Sequence, residues 1–147
     1  LINSFKVDAH KLEEFVDKKG RLWIDDSKAT NVDATLQALK AYGDKKLLLI
    51  LGGDDKGADL EPLFIALKNL KCKLFLIGKN IKRLEEYATR FHLEYRLCFH
   101  LTVAVQEIDS ELKDGCVAML SPAAASLDQF SGYRDRGEKF KYFINGL

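Results

Sequence analysis

The run Leu47-Leu48-Leu49-Ile50-Leu51 is apolar without alternation; it opens into Gly52-Gly53-Asp54-Asp55-Lys56-Gly57 and then into Leu60, Leu63, Phe64 and Leu67 at helical spacing. A strand so uniformly apolar is expected where helices cover both faces of a parallel sheet. Pro62 is tolerated because it falls in the first helical turn, where backbone donors have no intrahelical partner. The same order of strand, polar turn and helical stripe recurs twice. Residues 73–77 lead through 78–80 to Ile81, Leu84, Ala88 and Phe91, and residues 95–99 lead through 100–102 to Val105, Ile108 and Leu112. Residues 116–120 read as one further strand.

Upstream, residues 11–16 and 21–25 flank Asp17-Lys18-Lys19-Gly20, the charge and glycine pattern of a hairpin turn. Val32, Leu36 and Leu39 then recur at helical spacing, and Gly43 offers the stop. Residues 126–143 look helical but interrupted near Ser131-Gly132. Together these elements predict a three-layer α/β domain. Its sheet has about six mostly parallel strands with an antiparallel strand at its N-terminal end, and helices lie on both faces.

A chain of 147 residues can bury roughly two thirds of its unfolded surface, so neither disulfides nor a metal is needed to hold a core. Cys72, Cys98 and Cys116 accordingly read as reduced, buried thiols of a cytoplasmic protein. With 23 basic and 22 acidic residues, the net charge of +1 gives no reason to expect nucleic acid or a membrane as partner. The apolar runs are far shorter than the roughly 20 residues a bilayer requires, and no signal peptide opens the chain. The first nine residues show little periodicity. They are expected to be an interdomain linker, with one domain over 10–147, cut from a longer polypeptide.

Ligands of parallel sheets bind beyond the carboxyl ends of strands. Three polar loops are expected there: 26–31, 52–59 and 121–126. In the first, Lys28 can neutralise phosphate or carboxylate, Thr30 can donate to the same oxygen, and Asp26 can accept from a ribose hydroxyl; the segment would equally serve as a solvated turn with a helix cap. The second combines three glycines with Lys56, either as a flexible turn or as a close backbone approach to a carboxylate. It is not a phosphate-binding Gly-Lys-Ser/Thr loop, because Gly57 is followed by Ala58 and Asp59. In the third, Ser126 could cap the last helix or present a hydroxyl and amide to an anion. Downstream, Tyr133, Arg136 and Phe140 could form a packing face with a solvated guanidinium. His10 with Lys11 reads either as a linker histidine or as a nucleotide contact. No metal spacing links His10, His92 and His100, and no catalytic triad can be assigned.

Taken together, Asp25-Asp26-Ser27-Lys28-Ala29-Thr30-Asn31, the loop 52–59 and Ser121-Pro122-Ala123-Ala124-Ala125-Ser126-Leu127-Asp128-Gln129-Phe130 resemble the C-terminal domain of the Mur ligases. The likeness runs from His10-Lys11-Leu12-Glu13 to Tyr133, Arg136, Gly137 and Phe140, and is strongest to the branch that adds D-glutamate. It implies a Rossmann-like fold and a cytoplasmic, monomeric, ATP- and Mg2+-dependent ligase of peptidoglycan synthesis. That ligase joins D-glutamate to UDP-N-acetylmuramoyl-L-alanine through an acyl phosphate. By the same resemblance Thr30, Lys56, Ser126 and the Leu127 backbone clamp the D-glutamate carboxylates, Tyr133 closes over them, and Lys28 lies near glutamate and phosphate. His10, Lys11 and Asp26 face the ribose and phosphates of ATP.

The chain departs from the family pattern at Asp25 for asparagine, Lys11 for arginine, Ala124 for cysteine and Tyr133 for phenylalanine. Lys11 lacks the planar fork that binds phosphate through two bonds. In the family, the phosphate-binding loop, the magnesium ligands and a carbamylated lysine belong to a central domain, and the UDP group to an amino-terminal one. Neither module fits this chain, so alone it is expected not to catalyse ligation. The open alternatives are a family branch that adds another amino acid, such as diaminopimelate or lysine, and a noncatalytic nucleotide-binding module.

Overall fold

The structure, a computed structural model, describes residues 9–147, so the expected linker lies outside the described residues except for Ala9. Eleven elements follow in the predicted order: β1 (Glu13–Val16), β2 (Leu22–Asp25), α1 (Val32–Tyr42), β3 (Lys46–Leu51), α2 (Glu61–Lys68), β4 (Cys72–Ile77), α3 (Ile81–Arg90), β5 (Glu94–Phe99), α4 (Leu101–Asp109), β6 (Cys116–Leu120) and α5 (Tyr133–Asn145). They build one six-stranded sheet in the order β1-β2-β6-β3-β4-β5. Among the described residues, β1–β2 is the one antiparallel pair of strands in this sheet.

The non-alternating strands serve two cores at once. From β3, Leu47, Leu49 and Leu51 enter one core while Leu48 and Ile50 enter the other; β4 divides Leu74 and Leu76 from Phe75 and Ile77 in the same way. Helices α1, α2 and α3 close the first core with Ala38, Leu39, Leu63, Phe64, Leu67, Leu84 and Ala88. Helices α4 and α5 close the second with Leu101, Ala104, Val105, Ile108, Phe140 and Ile144. Burial of each large aliphatic or aromatic side chain is worth roughly 1.5–3 kcal/mol over exposure, so both helical layers are held by the strands' lack of a polar face.

Local signals set the ends. The Asn31 side chain accepts from the Ala34 amide at 2.9 Å and caps α1, which stops at Gly43. Pro62 sits in the first turn of α2. In the β1–β2 hairpin, Asp17 is buried and accepts from the Trp23 indole (2.8 Å), the Arg21 guanidinium (2.8 Å) and the amides of Lys19 and Arg21.

Two expectations are corrected. Residues 126–132 are not helical, and α5 begins only after Gly132, so Ser126 does not cap it. The segment is held instead by distant partners: the Asp128 carboxylate accepts from the Lys79 amide at 2.8 Å, and the Gln129 side chain donates to the Phe99 carbonyl at 3.0 Å. Of the three free cysteines only Cys98 is buried; Cys72 and Cys116 are half-buried.

β2, β6 and β3 lie side by side and parallel, so their carboxyl ends share one rim. From there β3 feeds α2 on one face, whereas β6 feeds α5 on the other. Diverging connections of this kind open a crevice above the sheet.

Candidate functional site

The rim is assembled from backbone pairing. The Asp26 amide donates to the Leu120 carbonyl at 2.8 Å, continuing the β2–β6 ladder into the loop, and the Ser121 hydroxyl donates to Asp26 Oδ2 at 2.7 Å. Thr35 of α1 donates to the Ser121 carbonyl at 3.1 Å. On the other side of β6, Asp54 and Ala125 exchange two backbone hydrogen bonds of 2.9 and 2.8 Å. Arg136, reaching up from α5, joins the β2 loop to the β6 loop: its Nε and Nη2 donate to Ser27 Oγ and the Ser27 carbonyl at 2.9 and 2.7 Å, and its Nη1 to the Ala124 carbonyl at 3.0 Å. The three loops expected to converge are thus stitched to one another.

The candidate residues fall into neighbouring groups along this rim. Lys11, Asp26 and Lys28 line a cavity of 280 Å³ with Asn31, Asp33 and Gln37. Lys56 lines another of 430 Å³ with Lys79, Lys82 and Arg83. Leu127, largely exposed, borders a third of 540 Å³ with Asp128; Asp54 and Lys79 are walls of both this cavity and that of Lys56. Thr30 is exposed just ahead of the Asn31 cap. Ser126 is buried, and its carbonyl accepts from the Phe130 amide at 2.8 Å. Tyr133 is half-buried at the start of α5; its carbonyl accepts from the Ser27 hydroxyl at 2.7 Å, and its ring stands edge-on to His10. The His10 ring is buried, with Nδ1 2.6 Å from Asp25 and Nε2 3.2 Å from Glu138, so both ring nitrogens already have protein partners.

Burial raises the Asp26 carboxyl above its ordinary value despite hydrogen bonds from Ser121 and the Leu12 amide; the Asp25 charge pushes the same way and Lys11 opposes it. Burial pushes Asp55 upward as well, but the Asn80 side chain, the Gly57 amide and Arg83 outweigh it and hold that carboxyl low. Arg136 is depressed to about 10 by burial, against the pull of Asp128 and Asp25, and stays a cation at neutral pH.

Two parts of the rim escaped the sequence reading. Arg136 was open to a solvated reading, yet it is fully buried. The cations Lys79, Lys82 and Arg83 come from the β4–α3 turn and the first turn of α3, and join Lys56 because β4 neighbours β3. That turn, at the same strand-end level as the other three, was the available signal. Asn80 fixes it by accepting from the Gly53 amide at 3.0 Å and donating to Asp55 at 2.8 Å.

Among the described residues, one group of three metal-type donors is compact enough to consider: His10, Glu13 and Asp25. It does not fit Mg2+, which prefers an oxygen cage with retained waters. Its His10–Asp25 contact is a direct hydrogen bond, and Lys141 already sits 2.8 Å from Glu13 and 3.8 Å from Asp25.

Lysines, hydroxyls and open backbone gathered above a mostly parallel six-stranded sheet with helices on both faces make this an α/β domain of Rossmann-like type. The fold is shared with the crystal structure of folylpolyglutamate synthase from Thermotoga maritima, at a TM-score of 0.64 over 94% of this chain and 31% of that one; at 14% identity this is a likeness of fold. No protein-family model matches the chain. Sequence similarity is narrower. The chain is 56% identical over 143 residues to UDP-N-acetylmuramoylalanine--D-glutamate ligase of Helicobacter pylori strain J99, and 48% identical over 147 residues to the ligase of the same name from Campylobacter jejuni. These matches take in 97% and 100% of this chain but 34% and 37% of the relatives, so the chain spans about a third of their length. The resemblance to the Mur ligases drawn from the three loops is borne out: the chain is similar throughout to a domain-sized portion of ligases that bear this name.

Proposed function

We propose that this chain is the C-terminal domain of an ATP-dependent ligase that joins D-glutamate to UDP-N-acetylmuramoyl-L-alanine in peptidoglycan synthesis, residues 10–147 forming the domain. The observation that carries the reading is 56% identity, over nearly the whole chain, to a protein named for that activity. The stitched rim, with cations and hydroxyls suited to a dicarboxylate beside a phosphate, supports it.

In the proposed reaction the substrate carboxylate takes the γ-phosphoryl of ATP and ADP leaves. The resulting acyl phosphate is attacked by the D-glutamate amine, the amide C–N bond forms, and phosphate departs with the carbonyl restored. The nucleophile belongs to the substrate, so this domain's residues bind and orient. Lys56 and Thr30 hold the carboxylates of the amino acid, together with Ser126 and the Leu127 backbone, and Tyr133 closes over it. Lys28 lies on the side towards the phosphate. His10, Lys11 and Asp26 face the nucleotide; the Asp26 oxygens accept from Leu12 and Ser121 and retain lone pairs for a ribose hydroxyl. Magnesium and the phosphate-binding loop are assigned to the central domain, and the UDP group to the amino-terminal one.

The test is amino-acid-dependent phosphate release and product mass with the full-length ligase that contains this domain. D-glutamate should support turnover, whereas L-glutamate and diaminopimelate should not. Lys56→Ala should lower kcat/KM for D-glutamate by roughly 30-fold or more, the loss of about 2 kcal/mol expected when one partner of a bound charge pair is removed. The KM for ATP should change little. Equal turnover with diaminopimelate, or an unaffected Lys56→Ala enzyme, would sink the assignment.

A further inference from the structure

Arg136 is fully buried, yet all three hydrogen bonds of its guanidinium go to uncharged oxygens, and among the described residues no carboxylate lies within 4.0 Å of it. A buried cation usually has such a partner because desolvation is costly. Asp25 is already engaged by His10 and Lys141, and the Asp128 carboxylate by the Lys79 amide. A core position that needed only volume would be filled by leucine or methionine. Arginine adds a rigid planar fork able to grip two chain segments together.

The segments it grips are the ones that carry the rim. Ser27 lies one residue before Lys28 and three before Thr30, and Ala124 lies two before Ser126. The Ser27 hydroxyl accepts from Arg136 and donates to the Tyr133 carbonyl, extending the same knot to the start of α5. Ala125, next to the gripped carbonyl, is the residue paired with Asp54 two positions before Lys56. We propose that Arg136 is a positioning residue: one buried guanidinium sets the spacing between the β2 loop and the β6 loop, and so between Thr30, Ser126 and Tyr133. Its complete burial distinguishes it from the exposed Lys28 and Lys56 of the rim. The identity of the ligand that benefits, an amino dicarboxylate, rests on the function proposed above; the loop coupling does not.

Arg136→Lys keeps the charge and removes the fork. In this chain, backbone amide exchange should quicken at least tenfold at residues 26–30 and at 124–126 together, while the amides of Leu49 and Phe75 in the central strands keep their protection. The mutation should also weaken the D-glutamate-dependent amide shifts of the wild type by at least fivefold. Ser27→Ala, which keeps Arg136 but removes the shared hydroxyl, should loosen residues 26–30 and the start of α5, and it decides the matter if the Arg136 variants do not fold. Acceleration spread evenly over the molecule, or in neither loop, would overturn the proposal in favour of a purely structural role. A wild-type chain silent to D-glutamate would count against the functional reading, and the exchange pattern would still decide the role of Arg136.

Discussion

Asp17 and Asp26 are both buried carboxylates, but their surroundings drive them in opposite directions. Burial alone would raise Asp17; hydrogen bonds from the Trp23 indole, from the Arg21 amide and guanidinium and from the Lys19 amide outweigh it and hold the group at about 2. Its stabilising effect is therefore complete above the unfolded value of 3.8 and is lost as pH falls towards 2. Asp17→Asn should cost about 2 kcal/mol at pH 7, the penalty for weakening a buried charge-assisted network. The gap to wild type in denaturant midpoints should stay constant from pH 5 to 8 and narrow below about pH 4. A gap that persists undiminished at pH 2 would refute the ionic origin. Asp26, raised by burial, carries the opposite sign: its ionisation costs stability as pH climbs through its folded value. The sequence showed Asp17 as a turn residue and nothing more, because burial beneath Trp23 depends on the β1–β2 register that pairs Phe15 with Trp23. Arg136 was obscured for a similar reason. A helical spacing of 133, 136 and 140 shows that these side chains share a face, but whether that face meets solvent depends on how α5 docks, and here it lies over Ser27 and Ala124.

At the scale of elements, the strands were legible because β3, β4 and β6 have no polar face to hide, and each ended at a glycine or a Ser-Pro turn. The error over residues 126–132 arose because the segment closes one local turn, from Ser126 to Phe130, and goes no further: its side chains Asp128 and Gln129 are claimed by the distant Lys79 amide and Phe99 carbonyl. The turn after β3 shows why local chemistry can be decisive. Gly52 has φ +129, and a Cβ there would run into the Ile77 carbonyl, whereas Gly57 has φ +76 and open space around it. Gly52→Ala should therefore destabilise the fold severely, by roughly 3 kcal/mol or more, because backbone strain and steric overlap add. Gly57→Ala should cost only about 1–2 kcal/mol, the price of a left-handed backbone alone. Chemical denaturation of the two variants checks the order, and equal losses would mean that the end of β4 at Ile77 yields more easily than its pairing between β3 and β5 implies.

On the scale of the whole molecule, the sequence pointed to which loops meet but not to how they divide their work. The convergence of residues 26–31, 52–59 and 121–126 follows from strand order, which places β2, β6 and β3 side by side. The separate cavities of Lys28 and Lys56 depend on side-chain volumes that periodicity does not carry. Both are open concavities on one rim, and the chain spans about a third of the length of its ligase relatives. Anions are held strongly where water is excluded and charges converge from several sides; a rim open to solvent on one side supplies neither. The ligation proposed for this domain further requires both reactants to be fixed in attack geometry, and multidomain enzymes in general meet that demand by closing a second surface over the site. The purified chain should thus bind D-glutamate and nucleotide only weakly, with amide shifts at Lys28, Lys56 and Ser126 appearing at high ligand concentration, and should release no phosphate when given ATP, D-glutamate and the sugar-nucleotide substrate. Turnover by the chain itself, retained after any contaminating full-length ligase has been excluded by mass spectrometry, would mean that this rim contains an activating site of its own. The division of labour proposed for the domain would then have to be abandoned.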